Sequence, residues 1–278
     1  MKWGIIGTGN MGKVLLHALV TSGAVEENDM YVQNRTLLKA YDLKKVYSNI
    51  HVVQTLDAIT NTCDIIFLCA KPKDIIKVAH QIKPNLNKNQ CVISITSSVS
   101  VELLEEQLPC QVARVIPSIT NQVHQGATLI TFGENMKEEN KHLILQTCKL
   151  FSKPFLVEEE HVRVASDLVS CGPAFMSFFI EKLIDGANEY TSLERDQATE
   201  LITTMVQGYG SLLQGDHFDL QTLQKKVMVQ GGITGEGMIV FEKLFSSGFQ
   251  GVFHATHEKF ALEKKNMHHY LKQLDTEI

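Results

Sequence analysis

The sequence predicts an α/β fold in two parts, a doubly wound parallel sheet followed by an all-helical region. Three observations lead to this prediction. Short apolar runs alternate with helical patterns through the first half, a glycine-rich turn joins the first run to a helix, and the strand pattern fades after His161. A chain of 278 residues is long enough for two moderate domains, which we expect at 1–158 and 159–278.

The first half consists of predicted strands that lead into helices. Asp64–Ala70 and Cys91–Thr96 are almost continuously apolar, which is typical of strands that a parallel sheet buries on both faces. The predicted strands are Trp3–Ile6, Met30–Gln33, Ile50–Val53, Asp64–Ala70, Cys91–Thr96, Gln111–Ile116, Ala127–Phe132 and Phe155–Glu158. The helices expected among them are Val14–Leu19, Thr36–Lys45, Thr55–Thr60, Asp74–Ile82, Val101–Gln107 and Lys137–Phe151. This alternation predicts a parallel, doubly wound sheet.

The second half shows apolar residues at helical spacing. Because proline removes a hydrogen bond from a helix interior, Cys171–Pro173 is expected to separate two helices, with Pro173 opening the second. Further helices are predicted at Ala198–Leu213, Leu220–Val227, Gly237–Phe245 and Phe253–Leu274. Their aromatic and methionine residues either fill a core or form an interface between two copies. We favour a domain that dimerises, because one helical layer cannot bury so many of them.

Composition argues against several classes of function. The net charge is −5 and no long basic run occurs, so nucleic acid is not an expected partner. No apolar stretch approaches about 18 residues and the chain starts directly with a strand, so neither a membrane span nor a signal peptide is expected. Six cysteines without a CxxC pair favour reduced thiols and a cytoplasmic location. His254 and His257 can share a helix face, but no third ligand is evident, and no metal site is expected.

The strongest functional motif is Gly7-x-Gly9-x-x-Gly12, which lies between the first strand and the first helix. Gly7 permits the tight turn, Gly9 lets a pyrophosphate approach the backbone, and Gly12 lets the helix pack on the strand. The helix N-terminus then offers N–H groups to phosphate. The motif predicts a Rossmann-type domain that binds a nicotinamide dinucleotide. The alternative is a glycine-rich turn without a ligand.

The residues after the second strand favour NADP over NAD. A site for NAD places Asp or Glu there to bind the ribose 2′-hydroxyl, whereas this chain has Asn34, Arg35 and Thr36. Arg35 can neutralise a 2′-phosphate and stack on adenine, and Asn34 and Thr36 can donate hydrogen bonds to it. The alternative is a surface turn capped by Asn34.

Two further segments end predicted strands, at the edge where ligands bind in open α/β folds. Ala70, Lys71 and Pro72 follow one strand, and Lys71 there meets either a phosphate or ribose or only solvent. The run Arg114–Ser118 ends a later strand and is expected to face the nicotinamide. Both segments therefore add to the predicted cofactor site.

The segment Val229–Gly237 lies between two predicted helices. Thr234 resembles an N-cap residue, and the N–H groups that follow it form an anion-binding end suited to a small carboxylate. A capped helix with a flexible entry is an equally good interpretation.

Taken together, these segments resemble the pyrroline-5-carboxylate reductases over nearly the whole chain and in the same order. The matching motifs are Gly7–Gly12 (GxGNMG), Asn34–Thr36, Ala70–Pro72, Arg114–Pro117, Ser170–Ala174 and Gly231–Thr234. The resemblance implies reduction of the cyclic imine 1-pyrroline-5-carboxylate to proline with NADPH or NADH. It also implies proline biosynthesis as the role and an interlocked dimer, formed through the helical domain, with the active site near that interface.

The expected site combines the motifs with this resemblance. The expected cofactor-binding residues are Gly7, Gly9, Asn10, Met11, Gly12, Asn34, Arg35, Thr36, Ala70, Lys71 and Pro72. The expected substrate-binding residues are Gly231, Gly232, Thr234 and Gly235, which would hold the carboxylate of a small imino acid. No residue is assigned as general acid, because a cyclic imine that binds already protonated needs only orientation and a correctly placed cofactor.

The chain departs from the family pattern where the substrate binds. Val229 and Gln230 replace the usual Ser-Pro, Ser118 replaces an asparagine, and Cys171 replaces a serine. Losing one hydroxyl donor to a charged acceptor costs roughly 1.5–3 kcal/mol. The strings ARVIPSIT, RVASDLVSCGPAF and GGITGEG look most like the late competence protein (ComER) branch of the family.

Three functions therefore stay open at the level of sequence. The first is an NADPH-dependent reductase of the pyrroline-5-carboxylate type. The second is a regulatory paralogue that binds the cofactor with weak or no reductase activity. The third is an oxidoreductase of the hydroxyacid type, although its usual catalytic lysine on a helix has no counterpart that we can place here.

Overall fold

The computed structural model describes residues 1–215 and 218–276, without the side chains of residues 268, 269 and 272–276. The chain divides into two compact units. The sheet unit is Met1–Gly172 together with Thr256–Ile278, and the helical unit is Pro173–Ala255. The predicted fold class is confirmed, since a mostly parallel sheet with helices precedes a helical region.

The sheet has eight strands in the order β3-β2-β1-β4-β5-β6-β7-β8. Their bounds are β1 Trp3–Ile6, β2 Met30–Gln33, β3 His51–Val52, β4 Ile65–Leu68, β5 Cys91–Ser94, β6 Gln111–Ile116, β7 Ala127–Phe132 and β8 Lys153–Leu156. The first six strands have the Rossmann order, in which the direction of winding reverses between β1 and β4. The eighth strand starts two residues earlier than the predicted Phe155–Glu158.

The last two strands contradict the prediction of a wholly parallel sheet, because β8 is parallel to β7 and both run opposite to the first six strands. β7 is antiparallel to β6, with Ala113 opposite Phe132 and Ile116 opposite Leu129. A parallel crossover needs about a dozen residues or more, whereas the connection from Ile116 to Ala127 contains only a short 3₁₀ turn, Ile119–Val123. The connection is therefore long enough only to reverse the chain.

Helices cover both faces of this sheet. Those of the sheet unit are α1 Asn10–Thr21, α2 Leu37–Lys44, α3 Leu56–Thr60, α4 Pro72–Ile82, α5 Val101–Gln107, α6 Glu138–Lys149 and α7 Val162–Ser166. Leu15, Leu16 and Leu19 of α1 are fully buried in one apolar cluster. α3, α4 and α5 pack in a second cluster. Ser100 is the N-cap residue of α5, since its side chain accepts a hydrogen bond from the Leu103 N–H group.

The predicted break at Cys171–Pro173 is wrong. A π-helical turn, Asp167–Cys171, joins α7 to α8, Gly172–Tyr190, so that Pro173 lies second in α8 rather than after an interruption. Pro173 cannot donate to the Val169 carbonyl four residues earlier. That carbonyl instead accepts a hydrogen bond of 3.0 Å from Ser118 Oγ. The wide turn and this hydroxyl let the helix continue through the proline.

The remaining helices are α9 Arg195–Gln214, α10 Leu220–Val227, α11 Ile233–Phe245 and α12 Gly248–Thr276. The helical unit has very little core of its own, because Ile184 and Ala198 are its buried apolar side chains among the described residues. Phe178 is 61% exposed and Ile233 is 93% exposed. A unit with so much exposed apolar surface needs a covering partner.

One stretch of the described chain, Glu159–Tyr190, is long and apolar enough to cross a membrane by length and composition alone. No such stretch was expected from the sequence. A single helix of this kind is weak evidence for a span, and its low buried fraction of 11% is also what an uncovered protein interface gives.

The compact units divide the chain at a different place from the predicted domains 1–158 and 159–278. The start of the helical region belongs to the sheet unit, and so does the second part of α12. Met267 and Leu271 of α12 are buried in the same cluster as Ile75 and Ile76 of α4. The end of the chain therefore helps to close one face of the sheet.

Candidate active site

A cleft of about 1050 Å³ lies at the carboxyl ends of the parallel strands. The residues that follow β1, β2, β4, β5 and β6 all contribute to its lining. This is the edge, around the reversal between β1 and β4, where open α/β sheets bind ligands.

The glycine-rich turn has the backbone that its motif predicts. Gly7 has φ +99°, and a Cβ on it would lie 2.4 Å from the Cys69 carbonyl oxygen. A Cβ on Gly12 would lie 2.2 Å from the Gly7 oxygen, so α1 packs directly on the turn. A Cβ on Gly9 would meet nothing within 4 Å. The space beside Gly9, at the start of α1, is therefore open to a phosphate.

Thr8 supplies a polar atom without a partner inside this turn. Its side chain is 2% exposed, and Oγ1 makes no hydrogen bond in the structure. Buried hydroxyls are nearly always hydrogen-bonded. Thr8 also lines the cleft, so a bound phosphate or ribose would provide the missing partner. This orphaned hydroxyl is an observation in favour of a ligand at the turn.

Asn34 supports its turn, as the alternative interpretation expected, and also bonds to the glycine-rich turn, which the sequence did not indicate. Its Oδ1 accepts a hydrogen bond of 2.9 Å from the Thr8 N–H group, and its Nδ2 donates to the Thr36 carbonyl at 2.9 Å. Asn34 thus ties the turn after β2 to the glycine-rich turn. Arg35 and Thr36 are exposed and line the cleft, and the Thr36 hydroxyl does not cap α2. Lys39 lines the same part of the cleft and adds a positive charge one turn into α2.

A polar face of α4 forms one wall of the cleft. Lys71 is the N-cap residue of α4, is exposed and lines the cleft beside Ala70. Asp74, Lys77 and Gln81 line it as well. Residues three or four apart share one face of a helix, so this spacing could have been recognised in the sequence. Pro72 starts α4 and, like Gly12, does not line the cleft.

Arg114 does not face the cleft as expected, although Ile116 and Pro117 do. Its side chain is 1% exposed and donates from Nη2 to Glu159 Oε2 at 2.5 Å. It also donates to the Ser97 and Val99 carbonyls and to Thr131 Oγ1. A buried guanidinium requires such partners. The strand alternation that turns Arg114 inward places its charge behind the site rather than in it.

Glu159 lies between two cations. Oε1 accepts a hydrogen bond of 2.8 Å from Lys264 of α12, and Oε2 accepts that of Arg114. Burial alone would raise the pKa of Glu159, but the hydrogen bonds from Arg114 and Lys264 outweigh it and hold the pKa below its ordinary value. The carboxylate therefore connects β6 to α12.

A second ion pair borders the cleft at its β5–β6 end. Arg163 lines the cleft, and its Nε and Nη2 donate to Asp167 at 3.3 and 2.7 Å. Its Nη1 donates to Ser97 Oγ at 3.2 Å. The side chain of Asp167 is completely buried. Neither residue was predicted from sequence, although a charged pair four residues apart in an apolar helix was a usable signal.

The expected substrate segment belongs to the helical unit. Gly231 has φ +74° and Gly232 is the N-cap residue of α11, without a side-chain hydrogen bond. Thr234 is therefore the second residue of the helix, and its expected role as N-cap is wrong. The glycine at 231 adopts a left-handed conformation, and the helix starts two residues earlier than a threonine cap at 234 would allow. Thr234 is exposed, and Gly235 is half-buried.

The cysteines offer little chemistry. All six lie within the described residues and are free thiols, and Cys171 is the partly exposed one. Burial raises the pKa of Cys63, Cys110 and Cys148 to about 12, so these thiols stay protonated. Among the described residues, no group of His, Cys, Asp and Glu is placed to hold a metal ion.

The structure brings most of the expected cofactor residues to one cleft. Those that line it are Gly7, Gly9, Asn10, Met11, Asn34, Arg35, Thr36, Ala70 and Lys71. Ser118 does not line it, because its hydroxyl is used by the helix that contains Pro173. The binding of a cofactor by the cleft-lining residues remains a prediction.

Two family models match the chain. Residues 159–266 match the model described as pyrroline-5-carboxylate reductase dimerisation. Residues 2–98 match the model described as NADP oxidoreductase, coenzyme F420-dependent. The second match contains the glycine-rich turn and the cleft walls formed by α2 and α4.

Curated relatives match along almost the entire chain. ComE operon protein 4 of Bacillus subtilis is 43% identical over 260 residues, which cover 94% of this chain and 95% of that protein. Pyrroline-5-carboxylate reductase 3 of the same species is 29% identical over 261 residues, which cover 93% of this chain and 95% of that protein.

Solved structures share the fold. The pyrroline carboxylate reductase of Plasmodium falciparum, solved with NADP bound, has a TM-score of 0.83 at 23% identity and covers 95% of this chain and 98% of its own. The pyrroline-5-carboxylate reductase of Coxiella burnetii has a TM-score of 0.82 at 24% identity, with 96% and 98% covered. At these identities the likeness establishes the architecture.

Proposed function

The chain belongs to the pyrroline-5-carboxylate reductase family, and from this premise we propose that it uses NADPH to reduce the C=N bond of 1-pyrroline-5-carboxylate, giving proline. The observation that carries the proposal is the cleft at the glycine-rich turn, where an open phosphate position and an orphaned buried hydroxyl lie together. Family membership is the basis for the proposed reaction, and the cleft is where we propose that the cofactor binds.

The residues of the cleft suit NADPH. The open space at Gly9 and the N–H groups at the start of α1 would hold the pyrophosphate, and Thr8 Oγ1 would gain a partner. Arg35 and Lys39 would bind a 2′-phosphate, together with the Thr36 hydroxyl, which does not cap α2. When bound, NADPH supplies the hydride for the reduction. The preference for NADP over NAD is part of the proposal.

The substrate is an imino acid, and its carboxylate needs donors. We assign Gly231, Gly232, Thr234 and Gly235 to it, since no side chain caps the start of α11. The N–H groups of Gly232 and Gly235 donate to the Val229 and Gly232 carbonyls, so the Thr234 hydroxyl and the other N–H groups of this turn would be the donors. The protein then acts by orienting the imine and excluding water, without a general acid of its own.

The active assembly is proposed to be a homodimer or a larger oligomer built from dimers. The matched dimerisation region and the exposed apolar side chains of the helical unit support this assembly. A second copy is the natural partner for a surface of this kind, because a symmetric interface buries the same patch twice.

A second candidate is a cofactor-binding regulatory protein with weak or no turnover. Two observations favour it. The Ser118 hydroxyl is engaged by the Val169 carbonyl rather than directed into the cleft, and the 43%-identical relative is named for an operon rather than for an enzyme. Both candidates bind NADPH, so only a rate separates them.

The test is an assay of the purified protein with NADPH and 1-pyrroline-5-carboxylate, followed at 340 nm, with parallel calorimetric titration of NADPH. We expect oxidation of NADPH that depends on the imine and formation of proline, with kcat roughly 1 s⁻¹ or more. Tight NADPH binding without imine-dependent oxidation would support the regulatory candidate instead.

The same assay tests the substrate segment. Thr234→Ala is expected to raise KM for the imine by roughly tenfold while KM for NADPH changes little. Thr222→Ala, in α10, is the matched control and should change neither constant. Equal effects on both substrates would contradict the assignment of Thr234.

A further inference from the structure

The β5–β6 end of the cleft contains a cation with no role in the proposed cofactor site. Arg163 is the charged side chain among the described residues that line this end, together with Ser97, Ser166, Ser170 and Cys171. Its side chain is 14% exposed. The other cations of the cleft, Arg35, Lys39, Lys71 and Lys77, belong to α2, α4 or the turns that precede them.

Hydrogen bonds fix the plane of this guanidinium. Nε and Nη2 donate to the buried Asp167, while Nη1 donates to Ser97 Oγ, a group that also lines the cleft. A guanidinium has five N–H groups in a rigid fork, and one of the two on Nη1 is not used by Ser97. Arg163 is thus held rigidly with donor capacity at the cleft.

Asp167 does not depend on Arg163 alone. Its Oδ2 also accepts a hydrogen bond of 2.8 Å from Thr256, and His257 Nε2 lies 4.0 Å away. The carboxylate therefore shares its charge among several groups of α12 and α7. Such an arrangement orients the guanidinium while leaving part of its positive field for a ligand.

The chemistry of a guanidinium selects the ligand. In a sheet of this order the dinucleotide spans the reversal between β1 and β4, so its nicotinamide end lies toward β5 and β6. A nicotinamide ring gains positive charge when it gives up a hydride, which makes it a poor partner for Arg163. A carboxylate matches the fork in both charge and shape.

The segment assigned to the substrate carboxylate lacks a charged partner for it. Val229–Gly237 contains no Lys or Arg, and Glu236 places a negative charge in the first turn of α11. Backbone N–H groups alone would have to offset both charges. Because a carboxylate accepts up to about four hydrogen bonds, a guanidinium that binds it leaves part of that capacity for other donors.

We propose that Arg163 is the charged contact for the carboxylate of the imino-acid substrate, and that Asp167 is its positioning residue. The proposal rests on the proposed function, whose substrate it restricts to imines that carry a carboxylate. It predicts that the same imine ring without the carboxylate is a poor substrate.

The test is calorimetric titration of L-proline, and of pyrrolidine as the ring without the carboxylate, into protein saturated with NADP⁺. Wild type should bind L-proline and bind pyrrolidine far more weakly. Arg163→Gln should weaken L-proline binding by roughly tenfold to a hundredfold, with little change for pyrrolidine or NADPH. Arg163→Lys, which keeps the charge and loses the fork, should fall between the two.

Two further variants separate binding from folding. Arg163→Gln combined with Asp167→Asn removes both charges and leaves no buried carboxylate unpaired, so it should fold and still lose L-proline binding. Arg35→Gln makes the same substitution at the other end of the cleft. It should weaken NADPH and leave the affinity for L-proline of the saturated protein unchanged.

The outcomes distinguish this proposal from the proposed function. If wild type binds no L-proline, or if Arg163→Gln changes its affinity by less than twofold or weakens NADPH equally, the carboxylate contact is wrong. If L-proline binding depends on Arg163 but the imine is not reduced, the contact stands and the reductase proposal fails. If the imine is reduced at a rate that ignores Arg163, the reductase stands and the contact fails.

Discussion

At the scale of single residues, the proposed cofactor preference rests on the few side chains that follow β2. Thr36 is exposed, lines the cleft and makes no hydrogen bond that caps α2. A substitution there is therefore expected to change the affinity for a ligand more than the stability of the fold. Asn34, by contrast, holds the two turns together through hydrogen bonds to Thr8 and Thr36. Within one motif, Asn34 therefore supports the two turns, whereas Thr36 is proposed to contact the cofactor.

We predict that Thr36→Glu lowers the ratio of NADPH affinity to NADH affinity by about tenfold or more, because a carboxylate repels a 2′-phosphate and accepts from a free 2′-hydroxyl. Thr36→Gln has the same size without the charge and should change the ratio far less. Titration calorimetry of each variant with both cofactors measures the effect. An unchanged ratio in Thr36→Glu would show that the 2′ position lies elsewhere.

The backbone of the glycine-rich turn was predictable from sequence because its causes are local. Gly7 has a positive φ of its own, and Gly12 approaches the Gly7 carbonyl five residues before it. The Cys69 carbonyl that also excludes a Cβ from Gly7 is distant in sequence and was not predictable in this way. The orientation of Arg114 was not predictable, since its partner Glu159 is 45 positions away and nothing near Arg114 names it. The same holds for Thr8, whose missing partner is visible only once the turn is folded.

At the scale of elements, the Glu159 carboxylate connects β6 to α12 through Arg114 and Lys264. Its pKa is lower in the folded protein than in the unfolded chain. The stabilisation is therefore complete above the ordinary pKa of about 4.5 and is lost as the pH falls through the lower, folded pKa. Acid should weaken this connection by protonating Glu159.

We predict that Glu159→Gln lowers the free energy of unfolding by about 3 kcal/mol at pH 7, because it leaves the buried Arg114 without a counter-charge. The difference from wild type should shrink as the pH falls through the folded pKa of Glu159, which lies below its ordinary value, because Glu159 itself is then neutralised. Urea denaturation across this pH range gives both values. Glu160→Gln, the exposed neighbour, is the control and should cost less than about 0.5 kcal/mol. A loss that does not change with pH would rule out the charge as its cause.

Strands were the most predictable elements. β1, β2, β6 and β7 have the predicted bounds, because continuous or alternating apolar runs determine them directly. The direction of β7 and the helix that continues through Pro173 were not predictable in the same way. Each depends on a contact across the fold, namely the short return after β6 and the hydroxyl that Ser118 gives to the Val169 carbonyl.

At the scale of the whole molecule, the helical unit has many exposed apolar side chains and very little core. Leu244 of α11 is 64% exposed in the single chain, and Leu150, in the sheet unit, is 55% exposed. By exposure alone the two are equivalent. They differ in that Leu244 lies within the matched dimerisation region, 159–266, and Leu150 does not.

We predict that Leu244→Glu raises the dimer dissociation constant by at least about a hundredfold, because a symmetric interface loses two buried leucines and gains two buried charges. Leu150→Glu should leave the oligomer unchanged. Light scattering coupled to size exclusion over a range of concentrations measures both. If the two variants behave alike, α11 does not lie at the interface.

The two-part plan of the molecule followed from sequence, since strand and helix patterns separate clearly near His161. The division into compact units did not. The residues of α12 that return to the sheet have an ordinary helical pattern, and only the folded chain shows that Met267 and Leu271 are buried beside α4.

The return of α12 to the sheet determines when the sheet unit can complete its folding. During synthesis the glycine-rich turn emerges from the ribosome long before Met267 and Leu271, yet all of them belong to one compact unit. Until the last turns of α12 emerge, the nascent sheet exposes an apolar face to the chaperones and neighbouring chains around it. The sheet unit therefore cannot complete its packing until α12 has been made, and a fragment that ends before Met267 would leave this apolar face uncovered.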